Sequence, residues 1–438
     1  MKRIFRTFPI KEFRKTRLQM LSWASQFNIC SFLDNHQYHL PGHSYECLAG
    51  VGMIHKIEAS AGNALRKFQE FVNANRDWCL GHFAYDLKNE IEDLHSHHSD
   101  FIQFPDLFFF VPEIVLILKE NQISIGVFDH SHETIFETIS SCDYNLPDKK
   151  FHTPIIKNRI SREKYLETIN ALQYHIRRGD CYEINFCQEF YADEIEIDPL
   201  RLYLGLSAVS PSPFSAYYKI DDKWLLCLSP ERFLKKTGPQ IISQPMKGTW
   251  KRNTKDEVLD EINRKNLQES KKDRSENVMV VDLVRNDFSR ICKEGSVHVE
   301  EMFSIQTFPL VHQMVSTVKG ILSDDITMDQ LIRACFPMGS MTGAPKKRVM
   351  ELIEEFEESR RGLFSGAVGY VAPNGDCDFN VVIRSVLYNS SNKYLSFPAG
   401  SGITHFSDPE KEYEECLLKA KAIKKVLEQS PTPHKNLS

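Results

Sequence analysis

Two apolar runs, 365–372 and 378–388, are joined by Pro373-Asn374-Gly375-Asp376, and this arrangement constrains the fold more than any other stretch. Asn-Gly supplies the backbone freedom a tight turn needs, so the two runs read as antiparallel neighbours. The first 145 residues repeat the theme. Short apolar runs such as Leu107-Phe108-Phe109-Phe110-Val111 and Ile123-Ser124-Ile125-Gly126-Val127 alternate with polar turns, as in a mostly antiparallel sheet. Further strands are expected over 182–190, 215–219 and 224–228, with Ile241-Ile242 as a short one.

Helical spacing appears between these strands. Tyr165, Ile169, Leu172 and Ile176 recur on one face of 161–178, and Gly179 is placed to end that helix. A charged helical stretch covers 256–285. Another helix begins near Pro345 with Val349, Leu352, Ile353 and Phe356 on one face. The last starts after Ser407-Asp408-Pro409, where Ser407 or Asp408 can cap and Pro409 suits the first turn. Its apolar face is Tyr413, Cys416, Leu417, Ala420, Ile423 and Leu427. Composition turns polar over 143–154, which divides the chain into an N-terminal region, 1–150, and a larger region, 151–430. Residues 431–438 read as a flexible tail.

Bulk properties exclude several classes. A chain of 438 residues that is 42% hydrophobic and 26% charged has the make-up of a globular protein with a large core. A net charge of −5 offers no basis for a nucleic-acid or membrane-surface partner, and no apolar run is long enough to span a bilayer. The start, Met1-Lys2-Arg3-Ile4-Phe5-Arg6, is not a signal peptide. Eleven cysteines without Cys-x-x-Cys spacing argue against a disulfide framework, so a cytoplasmic location is expected.

Few residues carry a chemical signal of their own. Lys247 sits in Gln244-Pro245-Met246-Lys247-Gly248-Thr249, where partial desolvation would favour a neutral, nucleophilic amine; a solvated loop lysine is the plainer reading. Asp273 and Glu276 are three apart on one helix face, as are Glu412 and Glu415. Such oxygen-rich pairs suit Mg²⁺, or are simply solvated. Gly400-Ser401-Gly402 is a glycine-rich turn whose N–H groups could hold an anion. Arg384 is a charge inside an apolar strand that needs a partner, unless it faces outward.

In order along the chain, these segments resemble the chorismate-utilising enzymes. The matching blocks are Gly179-Asp180-Cys181-Tyr182-Glu183-Ile184-Asn185, Pro211-Ser212-Pro213-Phe214-Ser215-Ala216, Ser229-Pro230-Glu231-Arg232-Phe233 and Pro245-Met246-Lys247-Gly248-Thr249. Further on come Asp273-Arg274-Ser275-Glu276-Asn277, Pro337-Met338-Gly339-Ser340-Met341-Thr342-Gly343-Ala344-Pro345-Lys346 and the 399–415 segment. The resemblance covers roughly 155–428; residues 1–145 match loosely. It implies an α/β body of two large antiparallel sheets packed as a sandwich, helices outside, with the site between the sheets.

By position, the resemblance implies that Glu276 and Glu415 hold Mg²⁺, with Glu412 and Asp273 in support. Arg384, the backbone of Gly400, Ser401 and Gly402, and Ser340 and Thr342 would hold the enolpyruvyl carboxylate of chorismate; Thr342 could equally cap the helix after Pro345. Glu231 takes the general acid position, protonating the departing C4 hydroxyl. Lys247 matches the branch that makes 4-amino-4-deoxychorismate through a covalent lysine, where anthranilate-forming relatives carry alanine. Gln188 is assigned to the place where isochorismate-forming relatives carry a water-activating lysine. Met246 and the Trp250-Lys251-Arg252-Asn253 block depart from the usual pattern. No Gly-x-Cys-x-Gly amidotransferase block is present, so a separate glutamine amidotransferase subunit is expected to supply ammonia.

Overall fold

Val371 and Cys377 close the hairpin read from Pro373 to Asp376, with strands Ala367–Val371 and Cys377–Asn380. Ala372 N–H donates to the Asp376 carbonyl at 2.7 Å, and Gly375 adopts φ +79° within the turn. The second run does not continue as one strand. After Asn380 the chain leaves its sheet, and strand Ser385–Asn389 belongs to another. Val381 and Val382 are fully buried in this crossing, so its hydrophobicity matches that of the strands on either side and hides the break.

The protein is described by a computed structural model covering residues 2–38, 42–43, 45–144 and 154–428; most of the expected 143–154 boundary and the whole tail lie outside them. Among these residues two antiparallel sheets form the body. The twelve-stranded sheet runs, in spatial order, through Ile4–Pro9, Gln122–Val127, Ile114–Lys119, Cys47–Val51, Ile29–Asp34, Phe214–Ile220, Lys223–Ser229, Ser385–Asn389, Tyr394–Ile403, Glu183–Ala192 and Gly343–Ala344, with Lys157–Asn158 beside Glu183–Ala192. The ten-stranded sheet runs through Met246–Lys251, Val311–Ile321, Gln240–Gln244, Arg232–Thr237, Cys377–Asn380, Ala367–Val371, Cys79–Phe83, Leu107–Val111 and His55–Ala59, with His298–Thr307 on Val311–Ile321. Strand Ile29–Asp34 pairs with Phe214–Ile220, so N-terminal and central segments share one sheet.

Period-two alternation decides which side chain faces which layer. Tyr218 and Leu225 pack inward with Phe108, Leu234 and Phe379 of the opposing sheet. Their neighbours Tyr217 and Leu226 join Phe186, Phe190 and Phe397 on the outer face, against helices that include Arg162–Arg178, Lys346–Phe356 and Pro409–Glu428. Fully burying each such side chain is worth about 1.5–3 kcal/mol. The expected sandwich with outer helices is therefore what forms.

The helices follow their end signals. Ser161 Oγ accepts from Lys164 N–H at 3.2 Å, and Gly179, at φ +88°, ends Arg162–Arg178. The 256–285 stretch is two helices, Glu257–Glu269 and Lys271–Ser289, because Ser270 turns extended and caps the second by accepting from Asp273 N–H. Asp408 caps the last helix through Glu410 and Lys411 N–H, while Ser407 accepts from Thr404 N–H. Among the described residues no helix is long and apolar enough to cross a membrane.

Candidate active site

The chain crosses between the sheets twice at one place. Pro230 and Glu231 link strand Lys223–Ser229 of one sheet to Arg232–Thr237 of the other, and 381–384 make the return crossing. Val381 N–H donates to the Glu231 carbonyl at 3.1 Å, and Leu228 N–H to the Arg384 carbonyl at 3.3 Å. Each crossing thus carries one of the charged candidates into the gap between the sheets.

Glu231 is buried, at 4% exposure. Burial pushes its carboxyl up to about 7, against the opposing pull of Ser340, Lys247, the Met246 backbone and Arg384. That places Glu231, Ser340, Lys247 and Arg384 around one point. Ser340 Oγ is buried without a hydrogen bond of good geometry. Arg384 is not within a strand as expected; it stands in the crossing at φ +51°. Its guanidinium donates to Gln313 Oε1 at 2.9 Å and, among the described residues, makes no ion pair. Burial pushes its pKa down to about 10 in spite of Glu231. An arginine so placed favours an incoming carboxylate.

Lys247 lies on strand Met246–Lys251, its side chain only 10% exposed, and its ammonium forms an ion pair with Glu183. Burial alone would push the amine down, but the charges of Glu183, Glu276 and Glu415 and the bond to Glu183 together push it up. The expected desolvation is present; the neutral amine it was expected to favour is not the resting form. Gly402 makes room for the pair, since a Cβ there would lie 2.5 Å from both Lys247 Nζ and Glu183 Oε1. Glu183, the partner of Lys247, is a candidate site residue that the sequence reading missed. Its signal was a carboxylate at the start of the apolar strand Glu183–Ala192, buried to 3%; the strand's other carboxylate, Glu189, is paired with Arg159.

The other carboxylates gather beside this pair. Glu276 on helix Lys271–Ser289 and Glu412 on Pro409–Glu428 share Lys272, whose Nζ is 3.8 Å from Glu276 and 3.7 Å from Glu412. Burial pushes Glu276 up to about 7, with Lys247 and Lys272 opposing and Glu183 and Asp273 adding to the rise. Its Oε1 is buried without a hydrogen bond. Glu415 pairs with Lys419 at 2.8 Å and stays about half exposed. Burial alone would raise its carboxyl, but Lys419, Lys272 and Lys247 hold it below the usual range. Asp273 packs against Gly248, which at φ +86° leaves 2.9 Å between an added Cβ and the aspartate. Among the described residues no group of three or more His, Cys, Asp or Glu side chains is gathered closely enough to hold a metal ion by itself. An all-oxygen set from two helices with one unbonded buried oxygen fits a hydrated hard cation, which needs only one or two carboxylates.

Gly400, Ser401 and Gly402 are not a turn. They end strand Tyr394–Ile403, opposite Cys187, Phe186 and Asn185. Asn185 and Cys187 donate their N–H groups the other way, to Thr342 O and Glu357 Oε1. Gly402 and Gly400, as their non-hydrogen-bonded partners, therefore direct their own N–H groups to the strand's other edge, which, among the described residues, pairs with no strand beyond Ser396. Lys419 bonds the Gly400 carbonyl on that edge. Ser401 shares the outer face with Phe186 opposite it, and its buried hydroxyl lies beside the Tyr165 phenol rather than in the gap. Thr342 does not cap a helix: Pro345 holds the cap position, and the Thr342 hydroxyl donates to Met338 O at 3.1 Å. Gln188 is on the outer face with Phe186 and Phe190, its amide donating to Cys416 Sγ at 3.5 Å, so it does not meet Lys247. On this strand the side chain that meets Lys247 belongs to Glu183.

Comparison with known proteins gives the same outline. The chorismate binding enzyme family matches residues 33–425. Aminodeoxychorismate synthase component 1 of Escherichia coli (strain K12) is 35% identical over 350 residues, 80% of this chain and 76% of that protein. The protein of the same name from Bacillus subtilis (strain 168) is 31% identical over 375 residues, 80% of this chain and 77% of that one. Anthranilate synthase component I from Streptococcus pneumoniae TIGR4 superposes with a TM-score of 0.76 at 24% identity, covering 89% of this chain and 94% of that one. The menaquinone-specific isochorismate synthase of Escherichia coli superposes with a TM-score of 0.78 at 16% identity, covering 98% and 94%. These two likenesses show the shared fold.

Proposed function

Since the chain belongs to the chorismate binding enzyme family, we propose that it converts chorismate and ammonia to 4-amino-4-deoxychorismate. The observation that carries this reading is Lys247 within the electrostatic reach of buried Glu231, with Arg384, which makes no ion pair among the described residues, beside them. A reaction at C4 that runs through a lysine needs that set.

Chorismate would lie in the gap between the sheets. Arg384 and the outward N–H groups of Gly400 and Gly402 would take its enolpyruvyl carboxylate, with Ser340 as a buried hydroxyl close by. Glu276 and Glu415, supported by Glu412 and Asp273, would hold Mg²⁺. When bound, the ion withdraws charge from the ring carboxylate.

Glu231, half protonated near neutrality, gives its proton to the C4 oxygen, which leaves as water. The Lys247 amine bonds to C2 as the C4–O bond breaks, and the two conjugated ring double bonds, C1=C2 and C5=C6, shift to C1=C6 and C4=C5. Before that, its extra proton must pass to a base, and Glu183 is the one in contact. Ammonia then adds at C4, the electrons shift back, and the C2–N bond to Lys247 breaks. The relatives' designation as component 1 supports a second component, which we take to be a glutamine amidotransferase that delivers the ammonia.

Protein incubated with chorismate, Mg²⁺ and ammonium should give 4-amino-4-deoxychorismate by mass analysis. Anthranilate as the main product would reject the reading.

A further inference from the structure

Among the described residues Lys272 is the one cation ion-paired to carboxylates of both helices. Its ammonium lies 3.8 Å from Glu276 Oε1 and 3.7 Å from Glu412 Oε1, so it joins helix Lys271–Ser289 to helix Pro409–Glu428. Both distances exceed a hydrogen bond. Its side chain is 54% exposed, whereas those of Glu276 and Glu412 are 12% and 3% exposed. Of the other nearby cations, Lys247 pairs with Glu183, and Lys419 pairs with Glu415 on its own helix. Glu276 Oε1 is buried and closes no hydrogen bond, a costly state unless a cation offsets it.

Each feature of Lys272 suits a temporary occupant. A lysine ammonium is a point charge on a flexible stem, with no planar fork to fix it to either carboxylate. Its exposed side gives it a direct route to water. We propose that Lys272 is a displaceable counter-ion: it holds Glu276 and Glu412 together in the metal-free protein and swings into solvent when a divalent cation enters. The proposal rests on the reading that these glutamates take Mg²⁺. One consequence is that Mg²⁺ binds against a resident charge, so metal affinity is lowered by Lys272 itself.

The test is calorimetric titration of the full chain with Mg²⁺ alone, without chorismate, at low ionic strength. Lys272→Met should bind Mg²⁺ about tenfold more tightly, because a like charge a few ångströms away has gone. Lys272→Arg, which keeps the charge, should show no such gain. In the wild-type chain, saturating Mg²⁺ should speed acylation of the Lys272 amine severalfold, read by peptide mass spectrometry; this arm stands even if the methionine variant fails to fold. Equal or weaker Mg²⁺ binding by a folded Lys272→Met, or acylation of Lys272 unchanged or slowed by Mg²⁺, overturns the counter-ion role. If Glu276→Gln binds Mg²⁺ as tightly as wild type, the reading of the glutamates has failed instead, and the proposal with it.

Discussion

The ammonium of Lys247 and the carboxylate of Glu183 meet over the bare Cα of Gly402, where an added Cβ would stand 2.5 Å from each. Two glycines two residues apart are thus needed for different reasons. At Gly400 an added Cβ would come within 2.0 Å of the Phe186 carbonyl, which belongs to a paired strand and cannot move aside. At Gly402 it meets the ends of side chains, which can. Gly400→Ala should therefore lower thermal stability sharply, whereas Gly402→Ala should fold and lose about 10²-fold in turnover, as expected for an ångström-scale shift of a reacting group. Melting curves and rates on both variants check this, and a Gly402→Ala enzyme at full rate would contradict it.

Glu231 gives a pH signature with a definite sign. Its carboxyl is pushed up from 4.5 to about 7, so the native chain holds a proton that the unfolded chain has already released. The stability this supplies is complete below the unfolded value and lost as pH rises through the folded one. Glu231→Gln cannot ionise and escapes that loss. It should be up to about 3 kcal/mol more stable than wild type at pH 8, with the difference shrinking towards acid pH. Turnover should fall by about 10²–10⁴-fold. Urea melts across this range make the comparison, and a stability difference that does not change with pH would contradict the assignment.

Glu276 and Glu415 reach the proposed cation from opposite helices. Glu276→Gln or Glu415→Gln should raise the Mg²⁺ needed for half-maximal turnover by about tenfold or more, with circular dichroism unchanged. Near-normal turnover of both variants at limiting Mg²⁺ would mark these glutamates as solvated groups.

Much of this site could be read from sequence wherever a local rule applies. The Pro373–Asp376 turn, the Gly179 helix end and the Asp408 cap follow from residue chemistry within a few positions. Lys247, Glu231 and Arg384 were identified by motif, and the structure brings them within electrostatic reach of one another. What sequence could not supply was the path between sheets. The crossing at 381–384 is as apolar as the strands it joins, so Arg384 looked like a strand residue. Gly400-Ser401-Gly402 looked like a turn because glycine marks turns more often than close strand packing. Gln188 was placed at the site by resemblance alone; that Glu183, and not Gln188, faces Lys247 is told only once the strand's partners are known. The charge state of Lys247 depends on Glu183, Glu276 and Glu415, which are distant in the chain.

Lys247 as a covalent nucleophile is the claim on which the account depends. The amine must give up its proton, bond to C2, and be released when ammonia reaches C4. The direct measurement is intact-protein mass spectrometry after chorismate and Mg²⁺ are added with ammonia withheld. The account predicts an added mass equal to chorismate less one water, mapped to Lys247 by peptide analysis and missing from Lys247→Ala, which should also lose most product formation. Full wild-type activity in Lys247→Ala, with no adduct on the wild-type chain, would contradict it.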